Sequence, residues 1–217
     1  MSLLSRLRTV FTLGKGVVTG LSEDAAGKDP IALFDRWFAD AKRSGMLLPE
    51  TMALATSGGD GMPTARMVLL KAFDERGFVF YTNYVSRKSR ELDENPNAAL
   101  LLHWSILERQ VRIEGVAERI TAEESAAYFA SRPRGSQLGA WASKQSLPLE
   151  DPSVLQQRFK KYDRKFGGGA VPWPDFWGGY RVVPHTMEFW QGRLNRLHDR
   201  VLYEKEDGNW TCSRLYP

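Results

Sequence analysis

Arg66-Met67-Val68-Leu69-Leu70-Lys71 is the stretch that decides how this chain reads. A cation stands at each end and only apolar residues lie between, with no turn residue to interrupt them. That composition predicts a buried strand. Side chains alternate across a strand, so Arg66 points with Val68 and Leu70, and Lys71 with Met67 and Leu69. Strict alternation sends the two cations to opposite faces. A cation at the end of a buried strand needs a partner. Either each snorkels to solvent, or both reach anionic groups of a ligand.

The residues downstream bear on that choice. Asp74-Glu75-Arg76-Gly77 predicts a hairpin turn, and Phe78-Val79-Phe80-Tyr81-Thr82 the return strand. Ser86 is expected to cap a short helix to about Asn95, stopped by Pro96. Arg87 and Lys88 then fall in its first turn, where cations oppose the helix dipole. An anion bound there removes the conflict, because free backbone N–H groups and two cations converge on it. Phosphate is the expected guest, and a solvated basic turn is the alternative.

Working outward, the 217 residues suffice for one domain with a sizeable core. Apolar residues make up 42% and aromatics 12%, which places the chain among globular proteins. The net charge is +4 with a pI near 9.2. The cations are dispersed, unlike a nucleic-acid-binding tail, and suit a protein that handles small anions. Cys212 is the lone cysteine, so no intramolecular disulfide is possible and a reducing, cytoplasmic setting is expected. No window approaches eighteen uncharged apolar residues, so no membrane span is expected. Residues 1–28 read as an N-terminal arm rather than a secretory signal, because Lys15 and glycines break the apolar part.

Residues 29–217 read as a single domain. Asp29-Pro30 opens a helix whose Leu33, Phe34, Trp37, Phe38 and Ala41 share one face. Strands are expected at Met52–Thr56, Ala98–Trp104 and Val111–Ile120. Thr121 and Glu124 form a capping box for a helix through Tyr128 and Phe129 to Pro133. Further helices are expected around Gln137–Ser143 and from Pro152 to about Phe166. Strands resume at Gly179–Val183, Thr186–Trp190, Arg200–Glu206 and Asn209–Leu215. Short strands joined by hairpins suggest a mainly β, antiparallel barrel with peripheral helices. No dinucleotide or nucleoside-triphosphate loop appears. His103, His185 and His198 show no metal spacing. In Trp190–Arg200, the alternation of Arg196, His198 and Arg200 would aim all three one way if the segment is extended.

Taken in order, these segments resemble pyridoxamine 5'-phosphate oxidases. The resemblance rests on Arg66–Lys71, Tyr81-Thr82, Ser86-Arg87-Lys88, Glu108-Arg109-Gln110, Ser131–Gln137, Ser143–Ser146, Phe176–Gly179 and Trp190–Arg200, and covers about Asp29 to Pro217. It implies an FMN-binding split β-barrel that forms a homodimer, with FMN in clefts between subunits. It implies FMN-dependent oxidation of pyridoxamine or pyridoxine 5'-phosphate to pyridoxal 5'-phosphate, with oxygen as acceptor. By position, Arg66, Met67, Val68, Leu69, Leu70, Lys71, Tyr81, Thr82, Arg87, Lys88, Gln110, Gln145, Ser146, Trp190 and Arg200 are the implied FMN contacts. Lys71, Tyr128, Arg132 and Ser136 are the implied cradle of the substrate phosphate, and Arg196 and His198 the residues over its ring. Two phosphates need several cations and hydroxyl donors, which these positions supply. Tyr128 and Arg132, four apart, are expected on one helix face. The arm departs from the family pattern: Arg8-Thr9-Val10-Phe11 has phenylalanine where a tyrosine is usual, so Arg8 and Phe11 stand outside the expected site. Two other functions fit the same segments: a split-barrel flavin oxidase of another substrate, such as a phenazine precursor, and a non-catalytic binder of FMN or pyridoxal phosphate.

Overall fold

A computed structural model describes residues 20–21 and 26–217. The expected arm, with Arg8 and Phe11, lies almost wholly outside the described residues. Helix α1 (Pro30–Arg43) begins as its sequence dictates: Asp29 accepts a hydrogen bond from Ile31 N–H, and Pro30 occupies the first turn. Its buried face carries Leu33, Phe34, Trp37, Phe38 and Ala41.

Nine antiparallel strands follow: β1 (Thr51–Ser57), β2 (Pro63–Leu69), β3 (Ala72–Asp74), β4 (Gly77–Asn83), β5 (Asn97–Trp104), β6 (Arg109–Arg119), β7 (Trp177–Gln191), β8 (Asp199–Glu206) and β9 (Asn209–Leu215). The sheet runs β2-β1-β5-β6-β7-β4-β3, with β8 on β7 and β9 on β8, and curls into a half-barrel. Strand β7 is shared. Its first part pairs with β4 from Trp177 to Val182, its last part with β8 from Thr186 to Gln191, and β6 runs along its other edge. The two strands expected at 179–183 and 186–190 are therefore one. Pro184 cannot donate to the ladder, and a register shift between Glu114 and Gly115 accommodates it without ending the strand. A Cβ at Gly115 would lie 2.1 Å from the Val183 carbonyl oxygen, so the close approach requires glycine.

Helix α1 plugs the core. Phe34 meets Phe78 edge-on at 4.9 Å, and Trp37 meets Phe189 at 5.3 Å. Each such buried side chain contributes about 1.5–3 kcal/mol. Helix α2 (Arg87–Glu94) lies against β1, while α3 (Ala122–Ser131), α4 (Arg134–Ala142) and α5 (Pro152–Phe166) form a lobe around a second apolar cluster of Phe129, Leu138, Val171 and Trp177. The capping box at Thr121 and Glu124 is present in full. Cys212 is exposed on β9.

Two expectations for the opening stretch are corrected. Strand β2 is not buried: among the described residues it pairs with β1 alone, and Met67 is 63% exposed. The strand also ends at Leu69, so alternation does not carry through to Lys71. Leu70 turns into the core, and Lys71 N–H donates to Val79 O, which ties the segment to β4.

Candidate functional site

A cavity of about 820 Å³ opens between β2, β4, the start of α2 and the α3–α4 lobe. Because β2 is an edge strand among the described residues, its unpaired edge is free to form a wall. Arg66, Met67, Val68, Leu69 and Lys71 line that wall. Tyr81 and Thr82 come from β4, Arg87 and Lys88 from α2, and Gln145 and Ser146 from the segment after α4. Tyr128, Arg132 and Ser136 close the far side. The cavity thus gathers five cations, Arg66, Lys71, Arg87, Lys88 and Arg132, and its described lining residues include no carboxylate. Arg66 and Lys71 serve one cavity, not opposite faces.

The cations are held by different means. Arg66 donates to Glu91 Oε2 at 3.0 Å, to the Leu54 carbonyl at 3.2 Å, and to the hydroxyls of Thr56 and Thr64. It neither snorkels nor stands free. Lys88 is 7% exposed and donates to Thr82 Oγ1 at 3.1 Å, Gln145 Oε1 at 3.2 Å and Ser86 Oγ at 3.3 Å. Burial, reinforced by the charge of Arg66, pushes its ammonium down to about 8. Ser86 sits at the N-cap of α2, but its hydroxyl meets Ser89 Oγ instead of capping a backbone N–H. The expected side-chain cap is therefore absent, and the first turn of α2 faces the cavity with its cations.

On the far side, Tyr81 and Tyr128 stack at 3.8 Å, with Trp177 parallel to Tyr81 at 5.4 Å. Burial, then the neighbouring Tyr128, pushes the Tyr81 hydroxyl up to about 12, so it stays protonated. The Arg132 guanidinium lies 4.5 Å over Trp177. Its Nη1 is buried without a hydrogen-bond partner, and burial lowers its pKa. A buried N–H of this kind is costly unless a ligand completes it. Arg132 is not on the helix face expected for it: α3 ends at Ser131, and Arg132 has extended backbone as the C-cap. It reaches the same cavity as Tyr128 all the same.

The remaining expected site residues do not join this cavity. Gln110, Trp190 and Arg200 form one row across β6, β7 and β8. His198 lies against Trp190, ring centroids 4.6 Å apart, and its Nδ1 accepts from Arg193 N–H at 3.1 Å. Arg200 donates to Glu188 Oε1 at 2.7 Å. The segment before β8 is not extended. A 3₁₀ turn spans Leu194–Arg196, with Asn195 and Arg196 at positive φ, so Arg196 does not share an alternating face with His198 and Arg200. Arg196 is exposed. Leu70 belongs to the core.

The sequence reading missed Thr64, Asn83, Ser143 and Trp177 as cavity walls, and Glu91 behind them. Ser143 and Trp177 lie inside segments that carried the family resemblance. Glu91 had one local signal, its position one turn after Arg87 on a helix.

The fold and the site first define a class, the antiparallel split-barrel proteins. Among solved structures, PhzG from Burkholderia lata 383, in complex with tetrahydrophenazine-1-carboxylic acid, superposes with a TM-score of 0.87 at 34% identity, covering 93% of this chain and 100% of that one. A pyridoxamine 5'-phosphate oxidase-related, FMN binding protein from Nostoc punctiforme shares the fold at a TM-score of 0.69 and 15% identity, covering 88% of this chain and all of that one. Residues 38–165 match the family described as pyridoxamine 5'-phosphate oxidase, and residues 177–217 the pyridoxine 5'-phosphate oxidase C-terminal dimerisation region. Proteins named pyridoxine/pyridoxamine 5'-phosphate oxidase are 54% identical over the full length of both chains in Colwellia psychrerythraea, and 61% identical over 91% of both in Rubrobacter xylanophilus. The chain belongs to the pyridoxamine 5'-phosphate oxidase family, and it is an oxidoreductase of that family. Among the described residues, no helix is long and apolar enough to cross a membrane.

Proposed function

We propose that this chain uses FMN to oxidise pyridoxamine 5'-phosphate and pyridoxine 5'-phosphate to pyridoxal 5'-phosphate, in vitamin B6 synthesis and salvage in the cytoplasm. Oxygen is the electron acceptor and hydrogen peroxide the product. The observation that carries this reading is the cation-lined cavity, without a carboxylate among its described lining residues, in which Arg132 Nη1 is buried and unpaired. The donor set fits two phosphates: one cluster around Arg66, Arg87 and Lys88, another around Lys71, Tyr128, Arg132 and Ser136. The relatives' names support the choice of substrate.

FMN, when bound, would supply the two-electron chemistry, with oxygen as the acceptor. The protein's own residues bind and orient. Arg66, Arg87 and Lys88 would hold the FMN phosphate, and the β2 wall with Gln145 and Ser146 would supply contacts to the rest of the cofactor. Tyr128, Arg132, Ser136 and Lys71 hold the substrate phosphate. The row Gln110–Trp190–Arg200, with Arg196 and His198 beside it, completes the cleft from a second copy of the chain. A homodimer is thus required for activity, which agrees with the dimerisation region matched at 177–217. Residues 29–217 act as one domain, and the arm precedes it.

The test is direct. The purified protein should be yellow, release FMN and not FAD, and form aldehyde from pyridoxamine 5'-phosphate in air. A colourless protein that fails to bind added FMN overturns the reading. The likeness to PhzG favours a phenazine precursor as the second substrate to assay; turnover of it alone would replace the first proposal.

A further inference from the structure

Glu91 does not line the cavity, yet both its oxygens are committed to groups that do. Oε2 accepts from Thr64 Oγ1 at 2.7 Å and Arg66 Nη2 at 3.0 Å, and also from Thr56 Oγ1 at 2.6 Å behind them. Oε1 accepts from Arg87 Nε at 2.7 Å. One carboxylate therefore ties together β1, the edge strand β2 and the first turn of α2. Glu91 is 8% exposed. Burial alone would push its carboxyl up, but the hydrogen bonds from Thr56, Thr64, Arg87 and Arg66 outweigh that and hold it at about 2.

On charge alone this placement is unfavourable, because an ionised carboxylate beside an anion site repels the anion. Geometry supplies the reason for it. Arg66 stands on a strand that, among the described residues, pairs with β1 alone, and the Arg87 side chain is 61% exposed. Without a common anchor both guanidinium groups would sample many rotamers, and ordering them would fall on the binding step.

We propose that Glu91 is the positioning residue of the FMN phosphate cradle, fixing Arg66 and Arg87 before the ligand arrives. The proposal rests on the reading of this cavity as the FMN site. Its test compares FMN with riboflavin, which lacks the phosphate, on full-length protein stripped of flavin. Titrations would follow quenching of flavin fluorescence in wild type, Glu91→Gln and Glu91→Asp. Glu91→Gln keeps the volume and loses the charge. Glu91→Asp keeps the charge and is too short to bridge both arginines.

In both variants the ratio of FMN to riboflavin affinity should fall at least about tenfold, the scale of one charge-assisted contact. Tighter FMN binding in Glu91→Gln would show that Glu91 acts through its charge, unchanged binding in both variants that it does not shape the cradle, and either would overturn the proposal. Equal loss for both ligands would assign it a merely structural role, with the same consequence. If Glu91→Gln does not fold, Glu91→Asp decides alone. A wild type that binds riboflavin as tightly as FMN is a separate outcome: it removes the phosphate cradle itself, whatever the variants do.

Discussion

Two regions of the chain carry the charged residues of the proposed site, and they are built differently. Around Arg66 and Lys88, the cations are locked within the chain by Glu91, Thr56, Thr64, Thr82 and Gln145. Around Trp190, the residues stand on the open side of the sheet: Arg196 is exposed, and Leu194 and Leu197 are 70% and 69% exposed. The first region is organised without help. On the proposed reading, the second offers an aromatic ring, a histidine and arginines to a second copy of the chain, as one half of an interface does. If the proposed dimer holds, the difference between the regions is one of role: a rigid cradle on one subunit and a presenting strand pair on the other.

The sharpest way to break this comparison is complementation, which also has the largest expected effect. A cradle variant, Arg66→Ala with Lys88→Ala, and a variant of the two residues beside the row, His198→Ala with Arg196→Ala (the row variant), should each be nearly inactive. Half of the dimers reassembled from an equal mixture carry one intact site of two, so activity should return to about a quarter of wild type. A mixture as inactive as its components would place both regions in one site of one chain.

The cradle variant by itself should lose FMN affinity by more than about a hundredfold, since each charge-assisted phosphate contact contributes about 1.5–3 kcal/mol. Equilibrium dialysis measures this. The row variant should retain flavin far better, because its residues are assigned to the substrate ring.

Arg132→Ala should be smaller in effect and different in kind. The protein should stay folded and yellow, while kcat/KM falls by about ten- to a hundredfold, mainly through KM. Steady-state kinetics with pyridoxamine 5'-phosphate decides it. Loss of flavin instead would move Arg132 from the substrate to the cofactor.

The smallest effect is a pH dependence from Lys88. Its folded pKa, about 8, lies below its ordinary value of 10.5. Between those values the unfolded chain holds a proton that the folded chain has released, so this group makes apoprotein stability rise with pH from about 8. Binding a phosphate restores the charge, so FMN affinity should fall as pH rises through about 8. Denaturant melts of apoprotein and FMN titrations between pH 7 and 9.5 measure the two opposite slopes. Lys88→Met should flatten both.

Local interactions made much of this legible from residues alone. The start of α1 at Asp29-Pro30, the capping box at Thr121 and Glu124, the hairpin at 74–77 and α5 from Pro152 to Phe166 all depend on neighbours a few positions apart. The cations of the cavity were legible too, because their residue types and order resemble one family. Tertiary structure alone decided what those residues do to one another. That β2 is an edge strand depends on where six other strands lie in the path of the sheet. That β7 runs unbroken past Pro184 depends on the register of β6 opposite. That Glu91 holds Arg66 depends on a contact spanning 25 positions, and that Arg132 Nη1 is sealed without a partner depends on the rings packed around it. Hydrogen bonds between adjacent residues follow from the chain's local chemistry, whereas burial and long-range pairing exist only once the whole sheet has closed.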